Sequence, residues 1–343
     1  MGIFAGLRAR ARGQGAGARG LERRVVRTQM LLGVNLVEEA DTELREVLRL
    51  CLADPSIGAD HQVTCQARSR LARVLFAAGD YARARSEAEA VLAAGLGPGP
   101  VRDRVRLEAR EMLAHAVNVQ GQHALAAAHF ERIAKEYRDA HGARHPLVLK
   151  ARSDRAQCLL QIEGFEAEAE VECRTILSVS GRRDSVSRLL AGAVGNGLAY
   201  ALTLQGRHAE AEGAAREALR AVMKADAVSG SARLVTVIDV TLATALSGQG
   251  RDQEALALMD AVWQSDEPAP GAGRTDAGAV ELARATAFLG LGRYDEAEAG
   301  VRHALDEMSC ALGPEHRRVA KAKALLDEIS VASASDGPGR GDR

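Results

Sequence analysis

The stretch LARVLFAAGDYARA, residues 71–84, holds the pattern from which the rest of the chain can be read. Leu71, Val74, Leu75 and Ala78 recur at helical spacing, Gly79 interrupts them, and a second run opens with Ala84 five residues later. The same glycine returns at Gly121, Gly164, Gly206, Gly250 and Gly292, at intervals of 42, 43, 42, 44 and 42 residues. Alanine follows each by five: Ala126, Ala169, Ala211, Ala255 and Ala297. Leucine precedes most of them by eight (Leu71, Leu113, Leu198, Leu242), followed by Ala72, Ala114, Ala199, Ala243 and Ala285. A large apolar residue comes thirteen later at Leu92, Leu177, Leu219, Trp263 and Leu305. A seventh copy, NLVEEA at 35–40, puts Asn35 in the glycine place and Leu48 at the matching later position.

Each column has a physical reading. The run before the glycine is one helix, and glycine ends it because it adopts positive φ without steric cost. The early alanine of the following helix lets two axes approach just past the turn. The unit is an antiparallel helical hairpin, which cannot bury its apolar stripe alone and so stacks on its neighbours. No alternating strand pattern is present. The expectation is an all-α, right-handed superhelical solenoid of about seven hairpins, with a capping helix over 317–330 that places Val319, Ala322, Leu325, Leu326 and Ile329 on one face. Repeat four carries one extra residue, placed within 163–167. A hinge is expected at 265–277, where Pro268 and Pro270 stand.

Composition agrees. The 343 residues are 47% hydrophobic but only 3% aromatic, so the core must be built of Ala, Leu and Val. Charged residues make up 27% and cancel to −1, which argues against a wholly basic nucleic-acid binder. No run reaches the roughly 18 apolar residues of a membrane span, and residues 1–7 do not match a secretory signal. Five scattered cysteines without Cys-x-x-Cys fit a reducing compartment, so a cytoplasmic location is expected. Forty Arg against five Lys, with abundant Ala and Gly, suggest a GC-rich bacterial genome.

The strings GDYARA (79–84), GRHAEA (206–211) and GRYDEA (292–297) resemble the turn of tetratricopeptide repeats. The 42-residue period resembles the long-period branch typified by kinesin light chains. So do the linkers carrying Gly-x-x-His: Gly58 to His61, Gly142 to His145, and Gly313 to His316. The resemblance covers residues 22–330 and implies a scaffold that binds a protein or extended peptide in its concave groove. It also places Asn196 where such repeats often carry a groove asparagine, able to hold a ligand amide with both donor and acceptor.

Counting six, nine and ten residues back from each turn glycine gives the positions expected to line that groove. They are Ser69, Arg70 and Arg73; Glu111, Met112 and His115, with Asn118 one turn on; and Asp154 with Arg155 or Gln157. Next come Asn196, Gly197 and Tyr200, then Val240, Thr241 and Thr244, then Leu282, Ala283 and Thr286. The candidate binding residues are Arg70, Arg73, Glu111, His115, Asn118, Asp154, Asn196 and Tyr200, with Arg70, Arg73 and Tyr200 as the preferred anchors.

No enzymatic constellation is found: no phosphate-binding loop, no His-Glu-x-x-His, no Gly-x-Ser-x-Gly. Gly15, Gly17 and Gly20 match a dinucleotide fingerprint only formally, because no strand precedes them. Neither a cofactor nor a metal site is expected, since His61, His145 and His316 recur at one linker position and His123 and His208 replace Tyr81 and Tyr294 in a half-exposed packing role at the turn. Residues 1–30 hold seven Arg and one Glu, so a basic arm (1–20) precedes the array (21–330) and a Ser/Gly/Asp tail (331–343) follows it. Arg8, Arg10 and Arg12 behind Ile3, Phe4 and Leu7 offer a second reading, an adaptor resting on an anionic membrane surface. A third is the interaction module of a bacterial regulatory system.

Overall fold

The computed structural model describes residues 17–33, 36–181, 184–225, 231–265, 278–314 and 316–336. Among them are fifteen α-helices and no strand. The helices alternate as first and second members of hairpins: α1 (Ala18–Gly33), α2 (Val37–Ala53), α3 (Gln62–Ala77), α4 (Tyr81–Ala93), α5 (Pro100–Val119), α6 (His123–His141), α7 (Pro146–Leu159) and α8 (Glu166–Val179). They continue as α9 (Ser185–Leu204), α10 (His208–Met223), α11 (Ser231–Ser247), α12 (Asp252–Ser265), α13 (Ala279–Gly290), α14 (Tyr294–Ala311) and the terminal α15 (Arg317–Asp336). The fold is an all-α array of helical hairpins. Two compact units divide it, Met1–Ala116 and Val117–Arg343, with the division inside α5.

The recurring columns do what their chemistry requires. The six turn glycines all have positive φ, between 71° and 88°. At Gly79, Gly164, Gly206, Gly250 and Gly292 an added Cβ would meet nothing within 4 Å, so backbone conformation, not space, demands glycine there. The six alanines that follow by five are completely buried, as are Ala72, Ala114, Ala199 and Ala285. His61, His145 and His316 are helix N-caps: each Nδ1 accepts a backbone N–H two residues on, from Val63 (3.2 Å), Leu147 (3.3 Å) and Arg318 (3.1 Å). An imidazole here takes the place usually given to Ser, Thr, Asp or Asn.

Within the first unit, Leu21, Val25, Leu44, Val47, Leu71 and Val74 form one core. In the second unit Phe130, Ile133, Leu160, Ile176, Ile238, Met259, Met308 and Ile329 are the large residues sealed from solvent. First helices touch the next first helix at α1/α3, α7/α9, α9/α11 and α11/α13. No second-helix pair is comparably close among the described residues, so first helices lie on the inner side of the curve within each unit. Arg24–Glu43, Arg68–Glu87 and Arg152–Glu172 tie the two helices of three hairpins at 2.6–2.8 Å, from equivalent positions.

Three sequence expectations need adjustment. The extra residue of repeat four precedes Gly164: α7 stops at Leu159 and the turn spans 160–164, while α8 starts two residues after the glycine as elsewhere. The helical part begins at Ala18, inside the expected arm, and α15 runs on to Asp336, because no glycine or proline interrupts it before Gly337. His123 is buried, not half-exposed. The turn at Asn35, the arm with Arg8, Arg10 and Arg12, and all but the first residue of the hinge expected at 265–277 lie outside the described residues. No helix among the described residues is long and apolar enough to cross a membrane.

Candidate binding surface

In the first unit α3 carries Ser69, Arg70 and Arg73, the positions expected from the sequence to line the groove. Ser69 is buried. Arg70 is half-buried and donates from Nη2 to Gln29 Oε1 at 3.2 Å. Burial holds its guanidinium below the ordinary range, Glu108 works against that, and the cations Arg73 and Arg104 add to it. Arg73 is exposed and pairs with no carboxylate among the described residues. Three arginines therefore share one neighbourhood with a single nearby glutamate, which Arg104 faces at 3.8 Å. Glu111 and His115 are half-buried, and the His115 ring tilts against Phe76 at 5.8 Å between centroids.

In the second unit the candidates divide by what already occupies them. Asn118 Oδ1 accepts from His123 Nδ1 at 2.8 Å, so its amide braces the α5–α6 turn. Asp154 accepts from Lys150 one turn back, at 2.8 Å. Arg155 reaches Glu168 on the second helix, while the alternative, Gln157, packs against the next first helix, α9. Gln157 Nε2 sits only 2.6 Å from where a Cβ on residue 197 would be, so Gly197 is what admits that amide. Asn196 is 7% exposed and its Oδ1 has no hydrogen-bond partner among the described residues. A buried carbonyl left unsatisfied carries a penalty of about 1–3 kcal/mol. Tyr200 is half-buried, and burial pushes its hydroxyl above the ordinary range, with Arg317 and Arg318 of α15 opposing and Glu166 adding.

That proximity exposes what sequence reasoning missed. The start of α15 does more than cap the last hairpin; it docks back on earlier turns of the same unit. Gly313 N–H donates to Val119 O at 3.0 Å, and a Cβ on Gly313 would stand 2.5 Å from Gln120 O. His316 meets His123 edge-to-face at 5.2 Å. Arg317 donates to Leu160 O and to Glu166 Oε1, both at 2.8 Å. Burial raises the Glu166 carboxyl, but the Arg317 hydrogen bond and charge together with backbone hydrogen bonds hold it below its ordinary value. The recurrence of Gly-x-x-His at 313–316 was visible; the 157-residue reach of Arg317 has no local signal.

A second feature without a sequence expectation is a ladder between successive turns. Glu170 accepts from Gln205 (2.7 Å) and Arg207 (2.8 Å) of the next turn, and Glu212 accepts from Gln249 and Arg251 (both 2.9 Å) in the same way. Both glutamates are at least nine-tenths buried. Hydrogen bonds from Gln249, against burial, hold the Glu212 carboxyl below its ordinary value. The cysteines described are buried, and burial pushes Cys65 up to about 11 and Cys173 to about 12, so these thiols pack as small apolar groups.

No family model matches the sequence, and no curated protein matches it. Solved structures do. A tetratricopeptide repeat protein from Parabacteroides merdae superposes with a TM-score of 0.56 at 14% identity, covering 90% of this chain and 98% of that one. The Assembly Chaperone of RpL4 (Acl4), residues 1–338, does so with a TM-score of 0.50 at 18% identity, covering 81% and 99%.

Proposed function

We propose that this chain, which has the tetratricopeptide-repeat fold, is a non-enzymatic scaffold that holds a protein or extended peptide against the inner faces of its first helices. The observation that carries the reading is Asn196 on first helix α9: its amide carbonyl is buried with no partner among the described residues, and turning that side chain towards the groove would let it accept an N–H from a guest. An extended peptide backbone supplies such donors at every second residue. Tyr200, one turn on along α9, adds an aromatic anchor. In the first unit, Arg70, Arg73 and Arg104 favour acidic side chains on whatever is bound there. A preformed helical surface keeps the ordering cost on the guest. The chaperone function named for the structurally similar Acl4 is compatible with this reading, which rests on the residues of this chain.

The test is selection from a displayed random-peptide library, followed by fluorescence titration of the recovered peptides. We expect acidic residues to be enriched, with binding at least about tenfold weaker in Arg70→Glu/Arg73→Glu and severalfold weaker in Asn196→Ala. Circular dichroism should show helicity unchanged in both. Peptides that bind all variants equally would place recognition away from these faces.

A further inference from the structure

In the second unit the side chain two residues after a turn glycine packs on a neighbouring turn. The His208 ring fills the place that a Cβ on Gly248 would take, and the Asp252 carboxylate does the same at Gly290. The equivalent residues of the unit's first two turns, His123 and Glu166, meet the start of α15 through His316 and Arg317. Gly313 joins them by donating to Val119 O at 3.0 Å. These contacts link residues at least 151 apart in the chain.

The contact is polar and separable from the rest of α15. It consists of the Gly313 backbone bond, the Arg317 fork to Leu160 O and Glu166, and the edge of one imidazole against another. The apolar stripe of α15, with Val319, Ala322, Leu325 and Ile329, is buried, and α15 packs on α13 and α14. That packing keeps α15 in place whether or not its start is docked. Docking also carries a cost, because His123 Nε2, beside His316, is buried without a hydrogen-bond partner among the described residues. Lifting the start of α15 gives that nitrogen to water. A contact of a few polar bonds with one acceptor unmet belongs to the low-stability end of a fold, where local opening occurs.

Its position gives the opening a consequence. Tyr200 is half-buried, and the charges of Arg317 and Arg318 reach its hydroxyl. We infer that the start of α15 is an autoinhibitory clasp: docked, Gly313, His316 and Arg317 keep Tyr200 covered, and the clasp lifts before a guest takes that residue. The inference rests on the reading of Tyr200 as part of the binding surface. An acidic guest favours the exchange, since it offers Arg317 a carboxylate in place of Glu166.

The experiment acetylates the full chain with N-acetylimidazole and maps its four tyrosines by mass spectrometry. Arg317→Ala removes the fork, and Gly313→Val drives a Cβ against Gln120 O, 2.5 Å away. Labelling of Tyr200 should rise at least about threefold in each variant, with Tyr137 and Tyr294 unchanged. Loss of the Arg317 charge alone would raise the Tyr200 hydroxyl further and slow its labelling, so a rise reports uncovering. Lys323→Ala, an exposed cation of α15 off the Arg317 flank, should label like the wild type. Unchanged Tyr200 in both variants would overturn the clasp. So would a rise shared by Tyr294, which would mean that the unit unfolds with the contact. Peptides recovered with the wild type should bind Gly313→Val, which keeps Arg317, at least about threefold more tightly. Equal affinity would overturn autoinhibition and leave the binding surface standing. The binding surface fails separately, by yielding no peptide, and Tyr200 labelling then decides alone whether the clasp exists.

Discussion

Asn118 and Asn196 look alike in the sequence, two asparagines on first helices, yet they are in opposite states. Asn118 holds His123 through a 2.8 Å hydrogen bond, while the Asn196 carbonyl is buried without a partner. Truncating Asn118 leaves a buried imidazole N–H unsatisfied, so Asn118→Ala should cost about 1–3 kcal/mol in urea unfolding. Asn196→Ala removes an unmet acceptor and should cost less than about 1 kcal/mol, with its loss showing in peptide binding instead. Equal destabilisation by the two would mean that Asn196 is satisfied and would withdraw it from the binding surface. The spacing from the turn glycine located both residues. Which of the two is already engaged depends on His123, five residues beyond Asn118 and across the turn.

Helix α9 is rich in glycine, which by propensity alone should weaken it by up to about 1 kcal/mol per residue. Packing explains all three of these glycines, Gly197 through the Gln157 amide and the other two through α10. A Cβ on Gly192 would stand 2.3 Å from Val222 Cγ2 of α10, and one on Gly195 would stand 3.0 Å from Ala218 Cβ. Gly213, on the exposed side of α10, meets nothing within 4 Å. Gly192→Ala should therefore destabilise by about 1–3 kcal/mol despite its helix propensity. Gly213→Ala should stabilise by about 0.5–1 kcal/mol. Thermal unfolding of the pair separates propensity from packing, and a stabilised Gly192→Ala would show that α9 and α10 are not in this close contact. The turn ladder belongs to the same scale. Glu212→Ala takes from Gln249 its shortest acceptor, leaving it the Ala245 carbonyl at 3.1 Å, and takes one of two carboxylates from Arg251, and should cost about 1–2 kcal/mol. Glu254→Ala, at the solvent-facing carboxylate of the same arginine, should leave the unfolding midpoint unmoved.

At the scale of the second unit, closure through the start of α15 makes stability depend on pH. His123 is held at about 4 and His316 at about 3, chiefly by burial, with the charges of Arg317 and Arg318 adding. Both values lie below the unfolded value of about 6.5, so the unfolded chain binds protons first. Their contribution is complete above that value and is lost as pH falls from 6.5 towards 4. Each imidazole should remove about 1 kcal/mol between pH 7.5 and 5.5. Asp239, raised to about 6 by burial, works the other way over the same range. The informative quantity is the difference between the wild type and His123→Phe/His316→Asn, in which Asp239 cancels and the asparagine still caps α15. Denaturant unfolding should show the wild type losing about 2 kcal/mol more than the variant across that interval. Parallel profiles would mean that the two rings are solvated.

The amino-acid sequence by itself determined what repeats. Glycine at the turn, alanine five later and leucine eight before are local demands of positive φ, close axis approach and a buried stripe, and they recur because every hairpin faces the same problem. Those columns were legible from single residues and placed all six turn glycines and all three histidine caps. Only the tertiary structure decided what breaks the repeat. The extra residue of repeat four falls before Gly164, where the lengthened turn leaves the Leu160 carbonyl to Arg317. The ladder from Glu170 to Arg207 joins residues 37 apart, and Arg317 reaches Glu166 across 151. Such contacts join side chains far apart in the chain. No periodicity encodes them, because which surfaces meet is settled by packing rather than by local backbone preference.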